Sequence, residues 1–166
     1  MRSAFVIMLL TVSAFAQQES SAPAACGSRN IQFEMKRDDS QHSIVPPDPG
    51  KARVYFIQDI GRVNCIAGCS TKIGLDGKWI GANQHNSYIS VSVEPGEHHM
   101  CVSLSPHFSP HAVALAHFTA EAGQVYYFRV RPFWAKDELL TLDPVDADEG
   151  KYLVSYYPLC VSHPKP

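Results

Sequence analysis

Histidine and cysteine are the residues with the most chemistry to offer in this chain, eight and five of them in 166 positions. Imidazole and thiolate together suit zinc or copper. The densest grouping is His98-His99-x-Cys101, followed by His107 and His111. On a strand, neighbouring side chains point to opposite faces, so only His99 shares a face with Cys101. Two ligands do not make a site. His99 and Cys101 therefore stand as an alternative metal pair, and the expectation is that no metal or other cofactor is bound. His98 follows Pro95-Gly96, a position from which a polar side chain commonly bonds nearby backbone.

The five cysteines are Cys26, Cys65, Cys69, Cys101 and Cys160. In an exported protein such cysteines form disulfides rather than zinc sites. An odd number leaves at least one free or paired between chains. Connectivity is not readable from spacing. Cys26–Cys160 would close a loop of over a hundred residues and constrain the unfolded chain by roughly 5 kcal/mol, and Cys65–Cys69 a small loop with about 2 kcal/mol. Cys65-x-x-x-Cys69 also lacks the C-x-x-C spacing of a redox pair, and the neighbouring Gly68 and Ser70 suggest a loop rather than a helix start.

Other chemistries find less support. A hydrolase needs nucleophile, base and orienting group to converge, and there is no G-x-S-x-G elbow. The carboxylates Asp146, Asp148 and Glu149 read as a helix N-terminus complementing its dipole. Asp76-Gly77 lacks the further oxygen ligands of a calcium loop. Tyr126, Tyr152, Tyr156, Tyr157, Trp79 and Trp134 read mainly as packing. Tyr127 with Arg129 and Arg131 is the candidate binding surface, an exposed basic-aromatic patch on one face of a strand.

The elements that must hold these residues begin with the N-terminus. Arg2, the uncharged apolar run Ala4 to Ala16, and small residues at Ala14 and Ala16 form a signal peptide over residues 1–16. The run is shorter than the ~20 residues a membrane-spanning helix needs, so no transmembrane helix is expected in the mature chain. Pro23 and the polar spacer before Cys26 argue against lipid attachment there. Residues 17–50 read as a flexible Pro- and Ser-rich segment, with one short strand possible around Ile31, Phe33 and Met35.

From Lys51 the pattern is alternation. Ala52, Val54 and Phe56 share one strand face. Asp76-Gly77 in TKIGLDGKWIGAN signals a hairpin with a type I′ turn. Its register opposes Leu75 to Lys78, Gly74 to Trp79 and Ile73 to Ile80. Ile89, Val91 and Val93 form the next apolar face, and His98, Met100, Val102 and Leu104 another. Val113 to Ala120 has no clear period. Tyr126, Phe128 and Val130 face opposite to Tyr127, Arg129 and Arg131, and Leu140 and Leu142 suggest a further strand. Asp146 and Glu149 stand at capping-box spacing, so a short helix is expected from about Pro144 to Tyr157, weakened by Gly150. The whole reads as mainly β, an antiparallel β-sandwich of about seven strands with a short C-terminal helix over residues 51–157, and a tail over 158–166.

GLDGKWIGAN, NSYISVSVEPGEHHMCVS, LAHFTAEAGQVYYFRVR and LDPVDADEGKYL, in that order, resemble the bacterial "domain of unknown function 2846" family. The resemblance covers about Gly50 to Ser155. It implies an exported, β-sandwich-like envelope domain, and it transfers no activity and no catalytic residues. The segments Cys65 to Cys69 and Pro106 to Pro110 lie outside the family's general pattern.

A formal net charge of −2 with no basic stripe argues against nucleic acid as a partner, while 45% hydrophobic residues suffice for a buried core. The function expected is that of a non-enzymatic cell-envelope or periplasmic binding or structural module, its envelope partner unknown, located in the periplasm or outside the cell. The alternative is a periplasmic metal-binding or thiol-active protein using its His and Cys residues.

Overall fold

Alternating apolar residues from Ala52 onward build two facing sheets, and a helix covers the outside of one of them. The computed structural model describes residues 24–27, 31–60, 70–104, 112–132 and 140–165. Ten strands run in chain order: β1 (Phe33–Asp38), β2 (Ala52–Gln58), β3 (Ser70–Leu75), β4 (Lys78–Gln84), β5 (Ser87–Val93), β6 (Gly96–Leu104), β7 (Val113–Ala120), β8 (Val125–Pro132), β9 (Leu140–Val145) and β10 (Leu159–Pro164), with helix α1 (Ala147–Tyr156) between the last two.

The first sheet has the order β1-β10-β5-β2-β8-β9 and the second β4-β3-β6-β7. Most pairs are antiparallel, but β2 with β8 and β10 with β5 are parallel. The sandwich is therefore mainly β as expected, with a mixed first sheet. Between the sheets lies one core of Val54, Phe56, Ile73, Met100, Val102, Phe128, Val130 and their neighbours. These are the alternating residues of each strand, as a period of two requires.

β2 is buried on both faces. Tyr55 and Ile57 point away from the sheet-sheet core into a second cluster with Tyr88, Tyr127, Leu153, Val154 and Tyr157. That cluster seats α1. Asp146 caps the helix, its carboxylate accepting from the N–H groups of Asp148 and Glu149 at 2.9 and 2.8 Å. Glu149 does not reach back to complete a capping box; it turns to Arg129. The helix starts at Ala147 rather than near Pro144 because Pro144 and Val145 remain paired in β9. Gly150, unfavourable in a helix by propensity, lies where the backbone meets Tyr127. A Cβ there would run into the Tyr127 ring.

Two expectations about the chain ends are corrected. Residues 158–166 are not a free tail, because Leu159–Pro164 pairs with β1 along six residues. The described part of the 17–50 segment is fastened down: Phe33–Asp38 is a sheet strand, Val45 exchanges hydrogen bonds with the Tyr55 hydroxyl at 2.7 and 3.2 Å, and Tyr88 donates to the Ser43 carbonyl at 3.4 Å. The strand possible around Phe33 and Met35 is present as β1, whereas β10 was missed, and both signals were weak for one reason. Their apolar positions are sparse, since each lies at or next to a sheet edge with one half-wet face.

The β3–β4 hairpin turns at Asp76 (φ 49°) and Gly77 (φ 79°), both positive as a type I′ turn demands. Leu75 faces Lys78 and Gly74 faces Trp79, but a bulge then sets Ile73 opposite Gly81 rather than Ile80. One extra residue on β4 lets the Trp79 ring remain outward while Ile73 enters the core.

Candidate functional site

The outward face of the second sheet carries Gly74 on β3, Glu97, His99 and Cys101 on β6, and Leu115 and His117 on β7. Across β6 and β7, His99 stands opposite His117 and Cys101 opposite Leu115. Residues 24–27 cross this face. Cys26 forms a disulfide with Cys101, Cα–Cα 5.2 Å and 75 residues apart in sequence. The Gly77 N–H donates to the Ala25 carbonyl at 3.3 Å. Gly74 lets the crossing segment lie close: a Cβ there would come 2.9 Å from the Ala25 carbonyl oxygen.

The strap forms one wall of an open groove of about 540 Å³, lined by Ala24, Ala25, Asp76, His99, Leu115 and His117 among others. The His99 and His117 rings lie 6.2 Å apart, centre to centre. Leu115 is 56% exposed, a large apolar side chain in water at the groove's rim. His99 Nε2 stands 3.5 Å from Glu97 Oε1.

Asp76 forms the groove's polar end and does more than make a turn. Its Oδ1 accepts from the His99 N–H at 2.9 Å, and its N–H donates to the His99 carbonyl at 2.9 Å. Its Oδ2 lies 2.6 Å from His98 Nδ1, while His98 Nε2 lies 2.7 Å from the Glu94 carbonyl. Both ring nitrogens of His98 thus face acceptors, which only the imidazolium satisfies fully. Burial works to lower the His98 pKa and is the largest single influence, but the Glu94 carbonyl and the Asp76 carboxylate together outweigh it and raise it above the ordinary value. For Asp76, burial again opposes, and the hydrogen bonds from His98 and His99 with their charge hold the carboxyl below its ordinary value. His98 is consequently occupied on both sides, bonded to nearby backbone as its position after the turn suggested.

Of the two pairings considered, the structure overturns Cys26–Cys160. Cys26 joins Cys101, not Cys160, and Cys160 is a buried free thiol whose pKa burial pushes up. While the disulfide stands, Cys101 has no thiolate to offer beside His99, so the His99–Cys101 metal pair is not presented. Among the described residues no group of three or more His, Cys, Asp or Glu is placed to hold a metal. Cys65, Cys69, His107, His111 and Trp134 lie outside the described residues.

Tyr127, Arg129 and Arg131 do share the outer face of β8, but that face is the seat of α1 rather than an open patch. Tyr127 is 4% exposed beneath Gly150. Arg129 bridges two carboxylates, contacting Glu149 on the helix and standing 3.3 Å from Asp59. Arg131 is 3.6 Å from Asp143. The Tyr157 hydroxyl donates to Asp59 at 2.7 Å, and burial first, then that bond, raises the Tyr157 pKa. Charge is thus neutralised in place, and the arrangement fastens the helix.

Sequence reasoning missed Leu115 and His117, whose strand showed no clear period. The signal was present in Val113, Leu115, His117 and Thr119 at alternate positions, but apolar residues occupy both faces of β7. The capture of His99 by Asp76 joins residues 23 positions apart, which no local pattern reveals.

Residues 48–137 match the model of a protein family described as "Protein of unknown function (DUF2846)". No curated protein and no solved structure matches the chain. The matched span takes in the sheet pairs and turns that build the groove's floor, but not the strap that carries Cys26.

Proposed function

Because the chain belongs to the DUF2846 family, which brings no activity with it, we propose its role from this geometry: an exported, non-enzymatic cell-envelope module that binds a partner on the outer face of its second sheet. The observation carrying this reading is the groove between the strap and β7, where Leu115, His99 and His117 stand exposed beside a disulfide. Exposed apolar and aromatic side chains gathered at a concave, rigidly braced surface are the ordinary features of a contact patch. The disulfide fits an oxidising compartment, and the apolar start of the sequence fits delivery there. His98 and Arg129, the charged groups best placed within the sandwich, are fully engaged in holding elements together.

A photoreactive amino acid at position 117, activated in intact cells, tests the reading. We expect a discrete cross-linked product, lost when Leu115→Glu is added, and no such product from a probe at Lys151 on α1. Absence of any product at position 117, or equal products at both positions, would overturn it. Recovery of the protein inside the cell with residues 1–16 still attached would overturn the export claim. Among the described residues the His99–His117 pair favours the metal-binding alternative, and metal analysis of the oxidised protein decides between them.

A further inference from the structure

Among the described residues, β7 ends the hydrogen-bonded second sheet, with β6 on one side and no paired strand on the other. A free edge is a template for another strand. Proteins usually blunt such edges with lysine, proline, a bulge or an inward charge. Residues Val113–Ala120, VALAHFTA, contain none of these among eight residues. The outward positions Val113 and Leu115 are exposed, at 37% and 56%. The pairing of β7 with β6 is regular from Ser103↔Val113 to Gly96↔Ala120, so no bulge interrupts the strand.

Resting on the binding role assigned to this face, we propose that its partner is a second copy of the same chain, β7 pairing antiparallel with β7 across a twofold axis at Ala116. The register follows from the side chains. Residues directly opposite in a sheet share a face, so only registers matching outward with outward residues are allowed. Centring on Ala116 pairs Ala112 through Ala120 and uses the entire strand. It sets Leu115 against His117 and Val113 against Thr119 on the outer face. On the inner face it sets small Ala114 against large Phe118. The next allowed register, centred on His117, shortens the pairing and opposes His117 to its own copy, a repulsion whenever the rings are charged. β7 carries no permanent charge, so self-pairing places no like charges in opposition. In the Ala116 register the two grooves meet at the axis, and each exposed Leu115 gains an imidazole neighbour from the other copy.

One eight-residue strand pair is a small interface, so the dimer is expected to be weak and to appear with concentration. Sedimentation analysis from micromolar to about 0.5 mM protein should show a reversible monomer–dimer equilibrium. Leu115→Lys should abolish it while leaving the thermal unfolding transition unchanged, since Leu115 is exposed in the monomer. Register is tested separately. The double variant Val113→Cys/Thr119→Cys should form an intermolecular disulfide under mild oxidation, and neither single variant should. Cross-linking by Leu115→Cys/Thr119→Cys instead would replace the Ala116 axis with the His117 one. A monomer throughout the concentration range would overturn the proposal. If the chain is monomeric while the probe at position 117 still captures a different protein in cells, self-pairing fails and the binding role stands. If it is monomeric and captures nothing, both fail.

Discussion

Gly150 shows how a single residue can be chosen against its local preference. In an exposed helix interior glycine costs about 1 kcal/mol relative to alanine, and the sequence pattern there reads as a weakened helix. The structure supplies the reason: Tyr127 occupies the space a methyl group would need. Gly150→Ala should therefore destabilise the fold by about 2 kcal/mol or more, although it improves helix propensity. Urea unfolding monitored by tyrosine fluorescence measures this. A gain in stability would mean that α1 does not sit on Tyr127 as described. At this scale the sequence identified which residues are chemically notable but not what they touch. Asp76 is plain as a turn former, yet its second role as acceptor for His98 and His99 depends on β6 arriving beside the hairpin. Tyr127 and Arg129 are plain as aromatic and basic, yet whether they face water depends on a helix that follows them in the chain.

Among the elements, the β3–β4 hairpin is locked to the start of β6 by the Asp76–His98 ion pair and by two backbone bonds to His99. This lock depends on pH. The pKa of His98 is raised on folding, so the folded state holds that proton more tightly than the unfolded chain. Its contribution to stability is complete below the unfolded value near 6.5 and is lost as pH rises through the folded value. Asp76 is depressed, so its contribution is present above about 3.9 and lost as pH falls through its lower folded value. The hairpin lock is strongest between about pH 4 and 6.5. Imidazole NMR titration should show His98 titrating above its peptide value, and Asp76→Asn should return it downward. An unshifted His98 in the wild-type protein would refute the ion pair. Elements such as β5, β6 and β8 were legible because apolar residues repeat every second position, and so was β2 through Ala52, Val54 and Phe56, although both its faces are buried. β7 and β10 were not, and β1 only as a possible short strand, since strands at or next to a sheet edge mix apolar and polar residues on both faces. The hairpin's turn was legible, and its bulge was not, because one extra residue leaves the local pattern almost unchanged.

For the whole molecule, the sandwich with its outer helix follows from patterning, while parallel pairing and the strap do not. β2 and β8 lie side by side although 66 residues intervene between Gln58 and Val125, and nothing local announces such neighbours. The Cys26–Cys101 bond closes a loop spanning 75 residues, which on the chain-entropy account stabilises the fold by about 4 kcal/mol. Cys26→Ser should lower the unfolding free energy by several kcal/mol and open the groove wall, so that His117 becomes more accessible to diethyl pyrocarbonate. Unchanged stability in the variant, measured against the oxidised wild type, would show that the strap is not fastened by this bond.

The same bond sets an order of events when the protein is made. Synthesis presents Cys26 first and Cys101 long afterward, with Cys65 and Cys69 emerging in between. A thiol released early meets the wrong suitors before the right one. The native partner comes within reach only when β3 and β6 have paired, because that pairing brings Cys101 beneath the crossing segment. Oxidation before the sheet assembles should yield shuffled isomers, and maturation should quicken when a disulfide isomerase is supplied.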